Sequence, residues 1–464
     1  MTTDGRSEIY ESRERPRFCS GLMTDLYELT MAAAYVQNHF EARATFELFV
    51  RHLPRHRNYL VAAGLDRALD FLENVHFTED EIAYLKSLPL FRKVEPQFFD
   101  YLRRFRFTGE VWALPEGTPF FPGEPLLRVT APIAEAQLME TSLLSIIHFQ
   151  TLIASKAARV SMAAGEIPVI EFGSRRTHGV EASTLAPRAA FIGGCAGTSN
   201  SYAAYRYGLP AFGTQAHSYI MAHVDEAEAF RNFLEVFPES TLLVDTYSVR
   251  PAIDKITALR RKPGGVRLDS GDVLADSIWA RNRLDAAGWN DVKIFASGDL
   301  DEYRIDALIR NGARIDAFGV GTALSTSADA PFIGVIYKLV EVEAEGTIRG
   351  TAKFSEDKKT YPGKKQVFRF VGKDGKIERD IIGLEHENIP DARPLLVPVM
   401  HDGRPLEEID ATTATRRARE LFLEARKCLP SYILSLEMAE NPYTVQYSDA
   451  LEQSCERLQK EYVR

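Results

Sequence analysis

The sequence contains few cysteines, no long apolar run and no excess of basic residues. Its 464 residues include only 4 cysteines, and none of them belongs to a CxxC pair. Their spacing fits no zinc site, so a reducing compartment is the simplest interpretation. No window approaches the ~18 apolar residues of a membrane-spanning helix, and the charged, polar first residues predict no secretory signal. We therefore expect a cytoplasmic protein.

The charge balance argues against two classes of partner. The chain has 56 Lys and Arg against 65 Asp and Glu, which gives a net charge of −9. Nucleic-acid and membrane partners usually require a basic face or block, so we expect neither. Local basic clusters can still bind a small anion. The hydrophobic fraction of 45% and the length are those of a globular protein with a large core and more than one domain.

Changes in composition along the chain predict its organisation. Residues 1–17 have the composition of a mobile, charged tail. Residues 18–135 mix short β runs with helical stretches and predict a mainly β N-terminal domain. Residues 136–338 predict a catalytic α/β domain, which opens with a long helix or two helices in series. Residues 339–464 return to β runs before ending in helices, and we expect them to complete the N-terminal domain.

A repeated pattern from Ile167 to about Tyr337 predicts the fold of the catalytic domain. Seven short apolar runs each end in small or polar residues and are followed by a helical stretch, at intervals of roughly 16–32 residues. This rhythm predicts an irregular (β/α) barrel, closed or partly closed, with an open doubly wound sheet as the alternative. In such barrels the C-terminal ends of the strands carry the chemistry, and here nearly every predicted strand end is polar.

Two glycine-containing strand ends are candidate phosphate-binding loops, "ASGDLDE" and "FGVGTALSTS". Glycine lets the backbone approach a ligand closely, and late strand ends of barrels often hold phosphate. Both loops could instead be plain tight turns, with Asp299 capping the following helix. The candidate residues are Ser297, Gly298, Asp299, Gly319, Gly321 and Thr322.

Two further strand ends, "EFGSRRTHG" and "VRLDSGD", combine cations, acids and an aromatic ring. Phe172 offers a face on which a flat ring can stack, and Arg175 can bind an anion. Arg267 could clamp a carboxylate or a phosphate, while Asp269 and Asp272 could hold ribose hydroxyls or Mg²⁺. The alternative is an internal ion pair between strand ends.

The loop "GTQAHSY" places His217 among small residues, where it is the only group that titrates near neutral pH. The spacing of His217 and His223 fits no common metal site. The sequence contains no GxSxG, HExxH or Walker motif. The run "LLVDTYS" carries a single acid, whereas the phosphoribosyl-diphosphate motif of another salvage fold has two adjacent acids.

Taken together, these strings closely resemble those of nicotinate phosphoribosyltransferase. "GLMTDLYELTMAAAY", "EFGSRRTHG", "GTSN", "GTQAHSY", "VRLDSGD", "ASGDLDE" and "FGVGTALSTS" occur in the expected order, and the resemblance extends from about residue 20 past residue 400. No single string is specific, but the joint match is.

The resemblance implies a reaction and an assembly. The family joins nicotinate to 5-phosphoribosyl 1-diphosphate, which gives nicotinate mononucleotide and diphosphate, the first step of NAD salvage from nicotinate. ATP hydrolysis is coupled to the transfer, so the family is formally one of ligases, and Mg²⁺ accompanies the substrates. The implied fold is an irregular α/β barrel with an N-terminal domain completed by C-terminal segments. The implied assembly is a homodimer with active sites at the interface.

The resemblance also implies roles for individual residues. His217 is expected to be phosphorylated by ATP during the cycle, with Arg267 and Asp269 as the other catalytic residues. Tyr27 of the partner subunit is expected to sandwich nicotinate against Phe172. Nicotinate is expected to be bound by Tyr27, Phe172, Arg175, Ser199 and Thr214, and the sugar diphosphate by Asp272, Ser297, Gly298, Asp299, Gly319, Gly321 and Thr322.

Ser199 separates this reading from its nearest rival, nicotinamide phosphoribosyltransferase. That family carries an Asp in the "GT" loop, where it accepts a hydrogen bond from the carboxamide. An Asp would repel a carboxylate, so Ser199 favours nicotinate. Quinolinate phosphoribosyltransferase shares the barrel but is usually shorter. An inactive paralog acting as a binding protein is the remaining alternative, although His217, Asp269 and the glycine loops are all retained.

Overall fold

A computed structural model describes residues 19–355 and 358–462. The predicted tail, residues 1–17, lies outside this range. Within the described part of the chain, no helix is both long enough and apolar enough to cross a membrane.

Residues 19–164 of the described chain contain six α-helices and five strands. The helices are α1 Leu26–Gln37, α2 Leu65–Asn74, α3 Glu79–Ser87, α4 Pro96–Arg103, α5 Ile133–Leu138 and α6 Glu140–Ala164. The strands are β1 Arg43–Val50, β2 Leu60–Val61, β3 Glu110–Ala113, β4 Pro119–Phe120 and β5 Pro125–Pro132. The long helical run predicted ahead of the barrel is therefore two helices in series, α5 and α6, which meet at Met139.

The middle part alternates short strands with helices. The strands are β6 Val169–Glu171, β7 Gly197–Thr198, β8 Thr241–Leu243, β9 Gly265–Leu268, β10 Lys293–Ala296 and β11 Ala317–Val320. The helices are α7 Val180–Ile192, α8 Ser201–Tyr207, α9 His217–Met221, α10 Glu226–Val236, α11 Val249–Ala258, α12 Val273–Ala286, α13 Glu302–Arg310 and α14 Thr322–Ser325.

The six middle strands form one parallel sheet in the order β7-β6-β11-β10-β9-β8. The first and last strands, β6 and β11, are neighbours, as in a barrel. This order contradicts the open doubly wound alternative, in which the order reverses at a switch point.

The barrel is irregular between β7 and β8, where the apolar run 209–212 replaces a full strand. Ala211 forms a parallel bridge with Thr198 of β7, and the Gln215 side chain accepts a hydrogen bond from the Leu243 amide of β8 at 3.3 Å. Pro210 lacks an N–H group and so cannot donate to a ladder, which explains why the predicted strand is reduced to a bridge.

The last part, as described over residues 335–355 and 358–462, contains eight strands and two helices. The strands are β12 Val335–Ala344, β13 Thr347–Gly350, β14 Lys365–Val371, β15 Ile377–Leu384, β16 Ala392–Pro394, β17 Val397–His401, β18 Arg404–Pro405 and β19 Thr444–Tyr447. The helices are α15 Ala411–Lys427 and α16 Asp449–Tyr462.

An antiparallel sheet joins the two ends of the chain. Its order is β13-β12-β1-β5-β3-β17-β18, so β12 pairs with β1, and β17 pairs with β3. The predicted domain boundary at residue 339 falls inside β12. A separate sheet, in the order β16-β14-β15-β19, is built from C-terminal strands alone.

Helix α15 packs mainly on the barrel and also contacts β4, whereas the sequence predicted that the C-terminal segments return to the N-terminal domain. It packs against α7 and α8, and the Arg188 Nε donates to the Thr415 Oγ1 at 3.0 Å. The apolar stripe of α15, which includes the buried Ala418 and Phe422, belongs to the same core cluster as buried alanines of α6 and α7. This packing holds α7 in place, and α7 follows the strand end that carries Phe172.

Candidate active site

Arg267 connects the strand ends of the barrel. From strand β9 its Nε donates to the Ser297 Oγ at 2.8 Å, and its Nη1 donates to the Thr214 Oγ1 at 2.9 Å. Its Nη2 donates to the Asp269 Oδ1 at 2.6 Å, and its Cζ lies 5.6 Å from the centre of the Phe172 ring. Only a planar, forked cation can make these contacts together.

Asp269 is the anionic partner of this cation. Besides Arg267, the Ser297 Oγ donates to its Oδ1 at 2.5 Å. Burial acts to raise the pKa of Asp269, but the hydrogen bond from Ser297 and the charge of Arg267 outweigh it, so the pKa lies below its ordinary value. The carboxylate therefore stays ionised near neutral pH.

His217 begins helix α9 and faces the same acid. Its Nδ1 lies 3.1 Å from the Thr246 Oγ1, and its Nε2 lies 3.6 Å from the Asp269 Oδ2. The side chain remains 41% exposed. Thr246 therefore orients the ring, which remains partly exposed.

The Phe172 ring is supported from beneath by a glycine. It packs against the Phe295 ring with the centroids 5.4 Å apart. A Cβ at Gly319 would lie 2.8 Å from atoms of both rings, so only glycine fits at this position of the strand. Gly319 is therefore buried inside strand β11 and not in an open loop.

The loop after β10 is held in a conformation that requires glycine. Gly298 has a φ of +86°, and a Cβ there would lie 1.8 Å from the Asp269 carbonyl oxygen. Helix α13 is capped by Asp301, which accepts from the Arg304 amide at 2.8 Å, so Asp299 is not the cap. Asp299 is exposed and has a φ of +46°. Thr322, which begins α14, is also exposed.

Four predicted site residues do not join this cluster. Asp272 caps helix α12 by accepting from the Ala275 amide at 3.0 Å. Ser199 is exposed, and its amide donates to the Glu171 carbonyl at 3.0 Å. Arg175 is exposed and, within the described residues, forms no hydrogen bond or ion pair. Tyr27 is 50% exposed on α1 and, in the described structure, makes no ring contact with Phe172.

A cleft of about 2500 Å³ opens beside the barrel mouth. It is lined by residues of α2, α6, α7 and α15, together with His178 and Asn200 from two strand ends. Residues 22–25, which precede Tyr27, also line it, whereas Arg267, Asp269 and His217 do not. The cleft is therefore next to the polar cluster and separate from it.

Three acidic or hydroxyl groups at strand ends escaped the sequence analysis. Thr246 contacts His217, as described above. The Asp245 Oδ2 accepts from the Asp269 amide at 3.0 Å and from the Ser270 Oγ at 2.6 Å. Glu171 is fully buried at the end of β6. The sequence marked these residues only by their position, because each follows or ends the apolar run of a predicted strand.

The cluster offers little for a resident metal ion. Within residues 19–355 and 358–462, no group of three His, Cys, Asp or Glu side chains could hold one. Asp269 is already engaged by Arg267 and Ser297, and Asp272 is a helix cap. The Asp245 Oδ1 is buried without a partner among the described residues. A divalent ion here would thus need most of its ligands from a substrate.

Comparison with known proteins decides the family. The nicotinate phosphoribosyltransferase (NAPRTase) N-terminal domain matches residues 22–148, and the nicotinate phosphoribosyltransferase (NAPRTase) family matches residues 167–367. The chain belongs to the nicotinate phosphoribosyltransferase family. The resemblance seen in the sequence motifs is thereby confirmed.

Relatives within the nicotinate phosphoribosyltransferase family match most of the chain. It is 44% identical to nicotinate phosphoribosyltransferase pncB2 of Mycobacterium tuberculosis, over 93% of this chain and 92% of that protein. It is 42% identical to the nicotinate phosphoribosyltransferase of Bacillus subtilis, over 81% of this chain and 78% of that protein. The crystal structure of human nicotinic acid phosphoribosyltransferase superposes with a TM-score of 0.82 at 27% identity, covering 94% of this chain and 99% of that one. The predicted fold is therefore confirmed.

Replacing Arg267 tests the electrostatic arrangement. In wild type the pKa of Asp269 lies below its ordinary value. The ionised carboxylate therefore stabilises the folded state at pH values above the pKa that Asp269 has in the unfolded chain. This stabilisation is lost as pH falls through the folded-state pKa. Arg267→Gln should therefore lower the free energy of unfolding by about 1–3 kcal/mol near pH 7, and the deficit should shrink on acidification. The measurement is urea unfolding at several pH values.

Arg310→Gln is the matched control, because Arg310 forms an exposed pair with Asp306 on α13 at 3.0 Å. Its loss should change the unfolding free energy by less than about 1 kcal/mol at any pH. A deficit of Arg267→Gln that stays constant with pH would contradict the assigned coupling.

Proposed function

We propose that this chain catalyses the ATP-coupled transfer of a phosphoribosyl group to nicotinate. Nicotinate, 5-phosphoribosyl 1-diphosphate, ATP and water would give nicotinate mononucleotide, diphosphate, ADP and phosphate. Membership of the family supports this reaction. The structural observation that carries it is the Arg267 cluster, which brings an aromatic face, a cation and an ionised acid together at the strand ends.

The transfer needs positioning more than acid–base chemistry. The pyridine nitrogen of nicotinate carries a lone pair and forms the new bond to C1 of the ribose, while the bond from C1 to the diphosphate oxygen breaks. Positive charge develops on the sugar in the transition state. A fixed anion next to the sugar and cations next to the departing diphosphate lower that barrier. Asp269 is the proposed anion and Arg267 one of the cations.

The base is proposed to stack on Phe172. The underlying contact with Phe295 and the absence of a Cβ at Gly319 hold this ring in one orientation. Arg175, an exposed cation without a partner in the described structure, is available for the nicotinate carboxylate. Thr214, which Arg267 orients, and Ser199, which carries no charge, complete the proposed base-binding set.

The sugar phosphates are proposed to bind at the two glycine loops. The positive φ of Gly298 and its close approach to the Asp269 backbone fix the first loop. The second loop turns into α14 at Gly321. The proposed sugar-diphosphate-binding residues are Asp272, Ser297, Gly298, Asp299, Gly321 and Thr322, and Gly319, buried in β11, is proposed to support the second loop from within the strand.

His217 is the proposed acceptor of the ATP γ-phosphoryl group. With Nδ1 protonated and donating to Thr246, Nε2 carries the lone pair that forms the N–P bond as the bond from phosphorus to ADP breaks. Hydrolysis of this phosphohistidine later in the cycle would release phosphate. The negative charge gained beside Asp269 and Arg267 would change the affinity for the sugar diphosphate, which couples ATP to transfer.

The assembly and the accompanying ion are further parts of the proposal. Mg²⁺ is proposed to enter with ATP and the sugar diphosphate, close to Asp269 and Asp272. The enzyme is proposed to be a cytoplasmic homodimer in which Tyr27 of the partner subunit covers the face of nicotinate opposite Phe172. The half-exposed Tyr27 ring, free of Phe172 within its own chain, supports this arrangement.

Exchange of Ser199 tests base specificity. Wild type should favour nicotinate over nicotinamide by at least about tenfold in kcat/KM, because a mismatched polar group in a binding site costs about 1–3 kcal/mol. Ser199→Asp should reduce the use of nicotinate and narrow this preference. Product formation is measured with each base, with and without ATP. Ser201→Asp, the same change at an exposed position two residues on, is the control. Equal use of both bases by wild type would contradict the proposal.

Labelling with γ-³²P ATP tests the role of His217. Wild type should retain acid-labile, base-stable label on the protein. His217→Ala should retain none and should lose ATP coupling, while some ATP-independent transfer persists because the stacking face and the phosphate loops remain. His223→Ala is the matched control, since its Nδ1 lies 2.9 Å from the Tyr219 carbonyl and, among the described residues, no hydrogen bond joins it to the Arg267 cluster. Wild-type labelling of His217→Ala would place the acceptor elsewhere.

A further inference from the structure

Glu171 is a buried acid that the proposed chemistry does not use. It ends strand β6 and is 0% exposed. Its Oε1 accepts from the Gly173 amide at 2.5 Å and from the Ser325 Oγ at 2.7 Å. Its Oε2 accepts from the Thr198 Oγ1 at 2.7 Å. Among the described residues no lysine or arginine forms an ion pair with it.

A carboxylate in this setting is costly to the fold. Burial raises the pKa of Glu171, and the hydrogen bonds from Thr198, Ser325 and Gly173 only partly oppose that rise. A buried acid without a counter-charge is rare, and an apolar side chain would avoid its desolvation. This cost indicates that the role of the acid is to hold its three hydrogen-bond donors in place.

The three donors come from three neighbouring strand ends. Gly173 follows Phe172 in the loop after β6. Thr198 ends β7, directly before Ser199. Ser325 ends α14, three residues after Thr322. Because β7, β6 and β11 are adjacent in the barrel, one carboxylate ties together the proposed base-binding loops and a proposed phosphate-binding loop.

Glu171 and its three donors, Gly173, Thr198 and Ser325, are called the clamp here, and the packing around them leaves little freedom. A Cβ at Gly173 would lie 1.8 Å from the Ser325 Oγ, so only glycine allows this serine to reach the acid. The Thr198 Oγ1 also accepts from the Asn200 amide at 2.9 Å, which commits its proton to Glu171. The two oxygens of the acid thus receive three hydrogen bonds. The backbone sets the direction of the bond from Gly173, a second hydrogen bond sets that from Thr198, and packing against Gly173 confines the Ser325 side chain.

We propose that Glu171 is a positioning residue that sets the distance between bound nicotinate and the bound sugar phosphate. The inference rests on the proposed function, because it assigns the two substrates to the loops that Glu171 joins. Attack of the pyridine nitrogen on C1 requires both substrates to be held within a narrow range of separation and angle. Glutamine cannot replace the acid, since its single oxygen and its NH₂ group would oppose one of the three donors.

Variants at two of the donors test the clamp. Thr198→Val removes the bond to Glu171 and also the acceptor of the Asn200 amide. Ser325→Ala removes only the bond to α14, so KM for the sugar diphosphate should rise about three- to tenfold while KM for nicotinate changes less than about twofold. Thr198→Val should show the reverse split. Glu171→Gln should raise both KM values and lower kcat. A purely structural role would lower the thermal unfolding midpoint and the yield of active enzyme, with KM values unchanged.

Glu135→Gln is the matched control. Glu135 is also buried, and it accepts from the Thr108 amide at 2.7 Å and the Thr108 Oγ1 at 3.1 Å. The control should lose stability without a change in either KM. If Glu171→Gln does not fold, Ser325→Ala and Thr198→Val, which keep the acid, still decide whether Glu171 positions the substrates. Unchanged KM values in those variants, or equal KM changes in the control, would overturn the proposal.

Equilibrium binding separates failure of the clamp from failure of the proposed function. Calorimetric titration with 5-phosphoribosyl 1-diphosphate needs no turnover. Ser325→Ala should bind it about three- to tenfold more weakly than wild type, and Thr198→Val should bind it as wild type does. A wild type that binds the sugar diphosphate but transfers it to no pyridine base would contradict the proposed function and leave this comparison intact. Equal binding by wild type and Ser325→Ala would contradict the clamp.

Discussion

The Arg267 guanidinium is the contact on which the barrel mouth depends. It reaches the loops after three other strand positions through Thr214, Ser297 and Phe172, and it neutralises Asp269 on its own strand. Lysine has one compact charge and could satisfy only part of this set. Without the cation, Asp269 would be a partly buried acid that has lost one of the groups lowering its pKa, and the Phe172 ring would lose the guanidinium beside it.

The irregular closure of the barrel places His217 beside this contact. A full strand at residues 209–212 would extend the ladder and displace the loop that follows it. Because Pro210 limits that segment to a bridge with Thr198, the chain turns early. His217 then begins a short helix with its ring between Thr246 and Asp269. The defect in the sheet and the position of the His217 ring have the same cause.

The sequence predicted the barrel because its signal is local. Each βα unit is a short apolar run followed by small or polar residues. Such a run can be recognised in the sequence without knowing which strand pairs with it. The same reasoning located Arg267, Asp269, Ser297 and Gly298. Their bonds to one another follow from strand order, which the runs alone do not give.

Long-range partners explain what the sequence analysis missed. Glu171 bonds to residues 27 and 154 positions away, so its letter in "VIEFGS" looks like the end of a strand and nothing more. Asp299 was a plausible cap, but its left-handed backbone gives that role to Asp301. Helix α15 was expected on the N-terminal domain, yet its alanine-rich stripe fits the small residues of the barrel helices.

A crystal structure with nicotinate mononucleotide bound would decide whether the barrel mouth is the active site. We expect the pyridine ring to stack on Phe172 with its carboxylate towards Arg175, and the 5′-phosphate to lie within hydrogen-bond distance of the loops at Gly298 and Thr322. We also expect Tyr27 of the partner subunit on the opposite face of the ring. A nucleotide bound in the neighbouring cleft, with Phe172 and both glycine loops empty, would contradict the assignment of the barrel mouth as the active site.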